Sequence, residues 1–268
     1  MKQIPMLGVG TARLEGKQVV QSVRIAFELG FRHIDTAQIY GNEADVGKAV
    51  AGSGLERREI FLTTKVWLEN LGRARFLPSV RESLQKLRTE YVDLLLIHWP
   101  AGEDGTPMVE YLEQLSAAKQ AGLARAIGVS NFTNAQLDQA VAQLGAGQIA
   151  TNQVEVHPYL QNDVVVDHCQ SLGIPVTGYM PLAKGKVVED KVLGQIAQKH
   201  RASIAEVVIA WSLARGIITI PSSTKRAHLQ SNLAAASLRL TSDDVQQIKA
   251  LERGEHLINP SYAPAWDL

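Results

Sequence analysis

One pattern recurs along this chain: a short apolar segment, a polar residue at its end, and then a stretch with helical periodicity. Seven segments show it clearly, at 31–35, 60–66, 92–98, 124–130, 148–155, 175–181 and 216–222, and segment 237–240 is a weaker eighth candidate. The 92–97 run is largely apolar on both faces, which is typical of a parallel strand buried beneath helices. Capping-box pairs at Thr133 and Gln136, and at Ser203 and Glu206, mark two helix starts between these strands.

Strand–helix alternation of this kind implies right-handed crossovers and a parallel sheet. Seven or eight units within 268 residues favour an α/β fold of the (β/α)8 TIM-barrel type over an open sheet. No linker-like or low-complexity stretch divides the chain, so we expect one domain over residues 1–268. Segment 4–10 precedes the first unit and predicts an N-terminal β-hairpin at the bottom of the barrel.

Composition excludes several classes of partner. Lysine plus arginine and aspartate plus glutamate both number 27, so no global field attracts nucleic acid or an anionic membrane. The first residues lack a signal-peptide pattern and no apolar run is long enough to span a bilayer, so we expect a cytoplasmic protein. The single cysteine, Cys169, excludes an internal disulfide and predicts an inert buried thiol. His157 and His168 are too isolated to predict a metal site.

Four chemically distinctive side chains follow three successive predicted strands. Asp35 ends the first strand, and Tyr40 follows it closely. Lys65 lies near the end of the second strand, and His98 ends the third. Each residue alone fits an ordinary structural role, such as a helix cap, a solvated rim lysine or a core histidine. Because reactive residues of β/α barrels lie at the C-terminal ends of strands, the four together predict an active site.

The combination makes chemical sense as a proton-donating site. An ammonium held by a carboxylate beside a phenol favours the phenolate, so we expect the pKa of Tyr40 to be lowered from about 10. Such a tyrosine can give a proton to a carbonyl oxygen as a hydride reaches the carbon. A neutral His98 imidazole can orient that oxygen and stabilise its developing charge.

Several motifs together resemble one known family, the aldo-keto reductases. They are HIDTA at 33–37, YGNE at 40–43, TKVW at 64–67, VDLLLIHWP at 92–100, IGVSNF at 127–132 and NQVEVHP at 152–158. The match extends over essentially the whole chain. Within the family, the chain looks most like the bacterial 2,5-diketo-D-gluconate reductases of the B type, which also reduce methylglyoxal.

The resemblance implies a role for each matching position. It makes Tyr40 the proton donor, Lys65 and Asp35 its tuning pair, and His98 the orienting group. It implies a nicotinamide site formed by Ser130, Asn131, Gln153 and Tyr179, with Met180, Pro181 and Leu182 along the pyrophosphate path. It also implies that Trp67 and Trp99 wall the substrate pocket, although packing at the barrel rim explains them equally well. For Tyr262 and Trp266 in the C-terminal tail, packing is the expected role.

The segment expected at the adenosine end departs from the family pattern. The family commonly has Ile-Pro-Lys-Ser there, followed by an arginine, whereas this chain has Ser222 at the lysine position and His228 at the arginine position. The nearby residues that can bind a 2′-phosphate are Ser222, Ser223, Thr224, Lys225 and Arg226. Asn232 matches an adenine-contacting asparagine of the family. We therefore expect NADPH rather than NADH, the alternative being a solvated helix start without a phosphate role.

Two other functions remain open at this point. A lysine at the end of a barrel strand permits a Schiff-base aldolase that uses Lys65, although this leaves Ser130, Asn131 and Gln153 without a shared purpose. The fold also admits a cofactor-binding regulatory subunit with negligible turnover. The short connection at 101–107 favours a free-standing enzyme, and the resemblance implies a monomer that acts on a small carbonyl substrate.

Overall fold

The computed structural model describes residues 3–102 and 105–267, and these form an α/β fold around one parallel sheet. The strands are β1 (Val9–Gly10), β2 (His33–Asp35), β3 (Phe61–Val66), β4 (Val92–Ile97), β5 (Ala124–Ser130), β6 (Ile149–Glu155), β7 (Val176–Tyr179) and β8 (Ile218–Thr219). Each strand pairs in parallel with the next in chain order. β2 to β8 lie within the seven segments predicted from the sequence.

The two edges of this sheet meet at a seam between β8 and the residues just before β1. The Gly8 amide donates to Thr219 O at 2.9 Å, and the Thr219 amide donates to Met6 O at 2.9 Å. A Cβ atom on Gly10 would lie 2.9 Å from Ile220 O, so the close approach at the seam requires glycine. The sheet therefore closes on itself as a barrel.

Two predictions about the strands need correction. Segment 237–240 is not a strand: Ala235–Ser237 is a 3₁₀ turn, and no strand includes the residues that follow it. The strand that completes the set of eight is instead β1, which lies in the N-terminal segment predicted to be a hairpin. The hairpin itself is not confirmed, because the pairing of β1 with β2 and the bridge from Leu7 to Thr219 are both parallel.

Helices surround the barrel in the described ranges. They are α1 (Gly16–Leu29), α2 (Glu43–Ala51), α3 (Arg73–Leu87), α4 (Met108–Gln120), α5 (Asn134–Leu144), α6 (Asp163–Ser171), α7 (Lys191–His200), α8 (Ile204–Ala214), α9 (Arg226–Ala234) and α10 (Ser242–Lys249). Short 3₁₀ helices also occur at Gln38–Tyr40, Arg57–Glu59, Leu68–Asn70 and Ala183–Glu189. Both predicted capping boxes are present, at the starts of α5 and α8. None of the described helices has the length and apolar character needed to span a bilayer.

The core has two layers, which follow from the alternation of side chains along each strand. On β4, Leu95 and Ile97 belong to the large apolar cluster that includes helix residues such as Val80. Leu94 and Leu96 belong to a smaller separate cluster with Phe61. The inward-facing residues of β3 and β4 therefore fill the barrel as a packed core.

The buried carboxylate of Asp244 links the C-terminal end of α7 to the start of α10. Asp244 accepts hydrogen bonds from Lys199 Nζ at 2.8 Å and from His200 Nε2 at 2.7 Å. It also accepts from the Thr241 amide at 2.8 Å and the Thr241 hydroxyl at 2.7 Å. Burial alone would raise the pKa of Asp244, but these hydrogen bonds outweigh it and hold the pKa well below its ordinary value.

We expect Asp244→Asn to destabilise the protein by about 2 kcal/mol at pH 7, because the substitution removes charge-assisted hydrogen bonds from a buried site. Because the pKa of Asp244 is lowered in the folded state, its ionised carboxylate stabilises the fold at pH values above the unfolded-state pKa of about 4. This stabilisation is lost as the pH falls below that value. The difference in unfolding free energy between wild type and variant, measured by urea titration, should therefore narrow between pH 5 and pH 3. Asp243→Asn, at the exposed neighbouring position, is the control. A difference in unfolding free energy that stays constant over this pH range would contradict a stabilising role for the ionised Asp244 carboxylate.

Candidate active site

Strand alternation brings the predicted catalytic residues into the mouth of the barrel. On β3, Phe61, Thr63 and Lys65 share the inward face, and Thr63 meets His33 of β2 through a hydrogen bond of 3.2 Å. Asp35 lies two residues beyond His33 and therefore also faces inward. Because the strands are parallel, their C-terminal ends meet at one end of the barrel, where these side chains converge.

Lys65 is the centre of this cluster and is fully buried. Its ammonium lies 2.5 Å from Asp35 Oδ1 and donates to Thr36 O at 2.9 Å. It also lies 3.3 Å from Tyr40 Oη. Gln153 Nε2 donates to the other Asp35 oxygen at 2.8 Å, so both carboxylate oxygens are held. The structure thus brings together Asp35, Tyr40 and Lys65.

The protonation states of Lys65 and Tyr40 differ partly from those predicted. Burial alone would lower the pKa of Lys65, but Asp35 and Tyr40 raise it overall, so Lys65 is a cation. Burial also raises the pKa of Tyr40, and this outweighs the lowering by Lys65. The prediction of a lowered Tyr40 pKa is therefore wrong in direction for this structure. A raised pKa keeps the phenol protonated at neutral pH, as a proton donor must be.

His98 follows β4 directly and lies beside the phenol. Its ring centroid is 5.6 Å from that of Tyr40 and 5.2 Å from that of Trp67, in edge-to-face geometry. Burial, and then the charge of Lys65, lowers the pKa of His98 well below its ordinary value, so the imidazole is neutral. Its Nδ1 atom is buried and has no hydrogen-bond partner among residues 3–102 and 105–267. A neutral imidazole next to the Tyr40 phenol suits the orientation of a carbonyl oxygen.

The residues predicted to hold a nicotinamide form one hydrogen-bonded network beside these four. Ser130 Oγ donates to Gln153 O at 2.7 Å, and Asn131 Nδ2 donates to His98 O at 3.0 Å. Tyr179 Oη donates to Asn131 Oδ1 at 2.9 Å. Asn131 has a left-handed backbone, with φ of 63°, a conformation that asparagine adopts more readily than most residues. The network therefore connects β4, β5, β6 and β7 at the barrel mouth.

The chemistry of this network fits a nicotinamide carboxamide. That group offers an N–H donor pair and a carbonyl acceptor, and the side chains of Ser130, Asn131 and Gln153 supply both acceptors and donors. Tyr179 is half-buried, and its aromatic ring is suited to stacking. Met180, Pro181 and Leu182 follow directly, and Met180 also has a positive φ of 56°. The residues present can thus hold this cofactor.

The predicted phosphate-binding segment lies at the start of α9. Ser222, Thr224, Lys225 and Arg226 are exposed, whereas Asn232 is buried. Ser22 Oγ of α1 donates to Ser223 O at 2.6 Å, and Ser223 Oγ accepts from the Lys225 amide at 3.1 Å, which fixes the turn. The Arg226 guanidinium is paired with Glu28. Lys225 is therefore the better candidate for an added phosphate.

The two predicted pocket tryptophans join a larger aromatic cluster. Trp67 contacts the His98 ring, and Trp99 is almost fully buried. Tyr262 lies 5.7 Å from Trp67 and 5.5 Å from Trp99, centroid to centroid, and Trp266 lies 5.9 Å from Trp99. The tail residues thus pack as expected, and they pack on the two residues proposed to wall the pocket.

Sequence reasoning missed two residues that act on this site. Gln38 Oε1 accepts from the Trp67 amide at 2.9 Å, and its Nε2 donates to Ser79 Oγ at 3.1 Å, so it joins the turn that carries Tyr40 to the Trp67 loop. The Arg13 charge lowers the pKa of Tyr40, although less than burial raises it. The only available signal for Gln38 was its place two residues before the proposed donor.

Two further predictions concern residues away from the site. Cys169 is buried, which confirms that part of the prediction, and burial raises the pKa of its thiol to about 11, which disfavours the reactive thiolate. The short connection predicted at 101–107 contains Glu103 and Asp104, which lie outside the described residues.

Comparisons with known proteins agree with this geometry. The model of the Aldo/keto reductase family matches residues 6–253. The chain is 51% identical over 265 residues to the methylglyoxal reductase DkgB of Escherichia coli O157:H7, covering 98% of this chain and 99% of the relative. It is 37% identical over 256 residues to the glyoxal reductase of Bacillus subtilis (strain 168), covering 95% and 91%.

Solved structures give the same answer. One, named as a "putative 2,5-diketo-D-gluconic acid reductase B", aligns with a TM-score of 0.95 and 42% identity, covering 99% of this chain and 94% of that one. The aldose reductase of Schistosoma japonicum aligns with a TM-score of 0.93 and 27% identity, covering 98% and 96%. The resemblance inferred from the motifs is confirmed, and the chain belongs to the aldo/keto reductase family.

Proposed function

We propose that this protein is an NADPH-dependent reductase of small aldehydes, α-dicarbonyls such as methylglyoxal, and keto-sugar acids such as 2,5-diketo-D-gluconate. The observation that carries the proposal is the buried Lys65 ammonium, held by Asp35 and placed 3.3 Å from the Tyr40 hydroxyl beside a neutral His98. The names of the methylglyoxal, glyoxal and diketogluconate reductases among its relatives support the substrate class.

The side chains divide the work of reducing a carbonyl. Ser130, Asn131, Gln153 and Tyr179 would hold a reduced nicotinamide, which would supply a hydride for the carbonyl carbon. Tyr40 donates its phenolic proton to the carbonyl oxygen, and the adjacent Lys65 cation stabilises the phenolate that remains. His98 hydrogen-bonds the oxygen and holds it near Tyr40 while charge develops. Solvent then returns a proton to Tyr40, so the site is restored after each turnover.

The buried ion pair argues against the Schiff-base aldolase. An amine must lose its proton before it can attack a carbonyl. Lys65 instead has a raised pKa because Asp35 and Tyr40 favour its charged form over the opposing effect of burial. Borohydride treatment with methylglyoxal should therefore leave Lys65 unmodified, and a trapped adduct on Lys65 would favour the aldolase.

The exposed start of α9 supports a preference for NADPH. Lys225 lies there among hydroxyl side chains, and the first turn of a helix attracts anions. We expect Lys225→Met to weaken NADPH binding about fivefold to tenfold and to leave NADH binding unchanged, because only NADPH has the 2′-phosphate. Fluorescence titration with each cofactor measures both constants. Lys249→Met, which removes an exposed lysine from α10, is the control. Equal losses for both cofactors would contradict a phosphate role for Lys225.

Measuring turnover distinguishes an enzyme from a regulatory subunit that only binds the cofactor. Absorbance of the reduced nicotinamide should fall when methylglyoxal is added to wild-type protein and NADPH. Tight NADPH binding without oxidation, for every carbonyl in a panel of aldehydes and dicarbonyls, would favour the regulatory subunit. We further propose that the enzyme acts as a cytoplasmic monomer, in which one chain supplies every residue of the proposed site.

A further inference from the structure

A segment after α10 returns across the barrel mouth, and we name residues 253–267 the C-terminal strap. The Arg253 and Glu255 amides donate to Tyr159 O at 3.3 and 3.0 Å, which fixes its beginning. At its end, Asp267 Oδ2 accepts from the Asn134 amide at 2.8 Å, at the start of α5. The strap is thus tied to the barrel near both ends.

Between these ties, the strap forms part of the proposed pocket wall. The Tyr262 ring packs edge-to-face on both Trp67 and Trp99. Trp67 in turn contacts the His98 ring. Tyr262 is therefore one ring away from a proposed catalytic side chain, and its position depends on how firmly the strap is held.

Glu155, at the end of β6, holds the middle of the strap. It is 2% exposed, and its Oε1 accepts from the Leu257 amide at 3.1 Å. Its Oε2 accepts from the same amide at 3.2 Å and from the Ile258 amide at 3.0 Å. Hydrogen bonds from main-chain N–H groups to a carboxylate are stronger than those between neutral groups.

A histidine fixes the orientation of this carboxylate. His157 Nδ1 accepts from the Tyr159 amide at 3.3 Å, so in the neutral ring the proton is on Nε2. That Nε2 atom lies 3.1 Å from Glu155 Oε1 and donates to it. With these bonds, the carboxylate is engaged by three N–H groups, two of them in the strap. Glu155 contacts none of the four proposed catalytic residues through these bonds.

From this geometry we infer that Glu155 is a positioning residue for the substrate pocket, acting through the C-terminal strap and Tyr262. The inference rests on the proposed function, because the pocket in question is the one proposed for the carbonyl substrate. Glutamine at this position replaces one carboxylate oxygen with an N–H donor. That donor faces the main-chain N–H groups or His157, so at least one of these hydrogen bonds is lost.

The first test is kinetic. We expect Glu155→Gln to raise KM for methylglyoxal about tenfold, with kcat and the Kd of NADPH each within about twofold, because a loosened wall affects substrate binding. Glu113→Gln, which alters an exposed ion pair on α4, is the matched control and should match wild type. A fall in kcat with unchanged KM, or an equal weakening of NADPH binding, would overturn the inference, since either places Glu155 in another role.

A double-mutant cycle tests whether Glu155 acts through Tyr262. Tyr262→Ala removes the wall ring and should itself raise KM. If the strap transmits the effect, adding Glu155→Gln to Tyr262→Ala should raise KM by no more than a further twofold. Independent, multiplicative effects of the two substitutions would contradict transmission through the strap.

The strap can also be tested without turnover, which separates this inference from the proposed function. Hydrogen exchange followed by mass spectrometry should show faster exchange in peptides containing Leu257 and Ile258 in Glu155→Gln than in Glu113→Gln. Unchanged exchange would overturn the inference even in an active enzyme. If wild type reduces no carbonyl, the proposed function fails, but faster exchange in Glu155→Gln would still identify Glu155 as the residue that holds the strap. If Glu155→Gln does not fold, Glu155→Asp, which keeps the charge but shortens the side chain that reaches the Leu257 and Ile258 amides, takes its place in the same measurements.

Discussion

Tyr40→Phe should lower kcat for methylglyoxal reduction by about 10²–10⁴-fold, the usual contribution of a general acid. The substitution removes only the hydroxyl: the ring can keep its edge-to-face contact with His98 and its place 5.0 Å from the Lys65 ammonium. The Kd of NADPH should change by less than about threefold, because the proposed nicotinamide contacts come from Ser130, Asn131, Gln153 and Tyr179.

The matched control is Tyr91→Phe, which removes a hydroxyl just before β4, at the opposite end of the barrel. Its ring is sandwiched between the Arg57 and Arg125 guanidiniums at 4.3 Å each, and phenylalanine preserves that packing. Its turnover should match wild type. If Tyr40→Phe retained more than a tenth of wild-type kcat with cofactor bound, another group would have to supply the proton.

Lys65→Met should have the second largest effect, on stability and on turnover together. Removing the ammonium leaves the buried Asp35 carboxylate without its cation, which typically costs about 3–5 kcal/mol of unfolding free energy. Tyr40 loses the charge that stabilises its phenolate, so kcat should fall at least about 100-fold.

The double variant Asp35→Asn/Lys65→Met separates the two effects. Without an unpaired buried charge, it should recover most of the lost unfolding free energy in guanidinium titrations, but its kcat should stay as low as that of Lys65→Met. Recovery of turnover along with stability would mean that Lys65 is structural. A double variant as unstable as Lys65→Met alone would mean that the charge balance described for this pair is wrong.

Much of the barrel follows from local pattern. Runs such as 92–97 are apolar because both faces of a parallel strand are covered, and this signal is independent of distant contacts. β1 gave no such signal. It has two residues, Val9 and Gly10, and it becomes a strand through pairing with β2 and the seam with Thr219. Segment 237–240 has a strand-like composition but lies beyond the closed seam, where no edge remains to pair with.

The candidate site, too, could be predicted from the sequence only in part. The positions of Asp35, Lys65 and His98 at strand ends could be predicted, because parallel strands bring those ends together. The direction of the Tyr40 pKa could not, because charges can be read from a sequence but the depth of burial cannot. The contact of Tyr262 with Trp67 was equally hidden, since it depends on the path of the strap across the barrel mouth.

The reaction proposed for this chain is reduction of small carbonyls by direct hydride transfer, with Tyr40 as the proton donor. The most direct test gives wild-type protein methylglyoxal together with NADPH that carries deuterium at both C4 positions of its nicotinamide. Mass spectrometry of the alcohol product should show one deuterium on the former carbonyl carbon, and Tyr40→Phe should form the product at least about 100-fold more slowly. A product without deuterium, or no product at all while NADPH is bound, would contradict the claim.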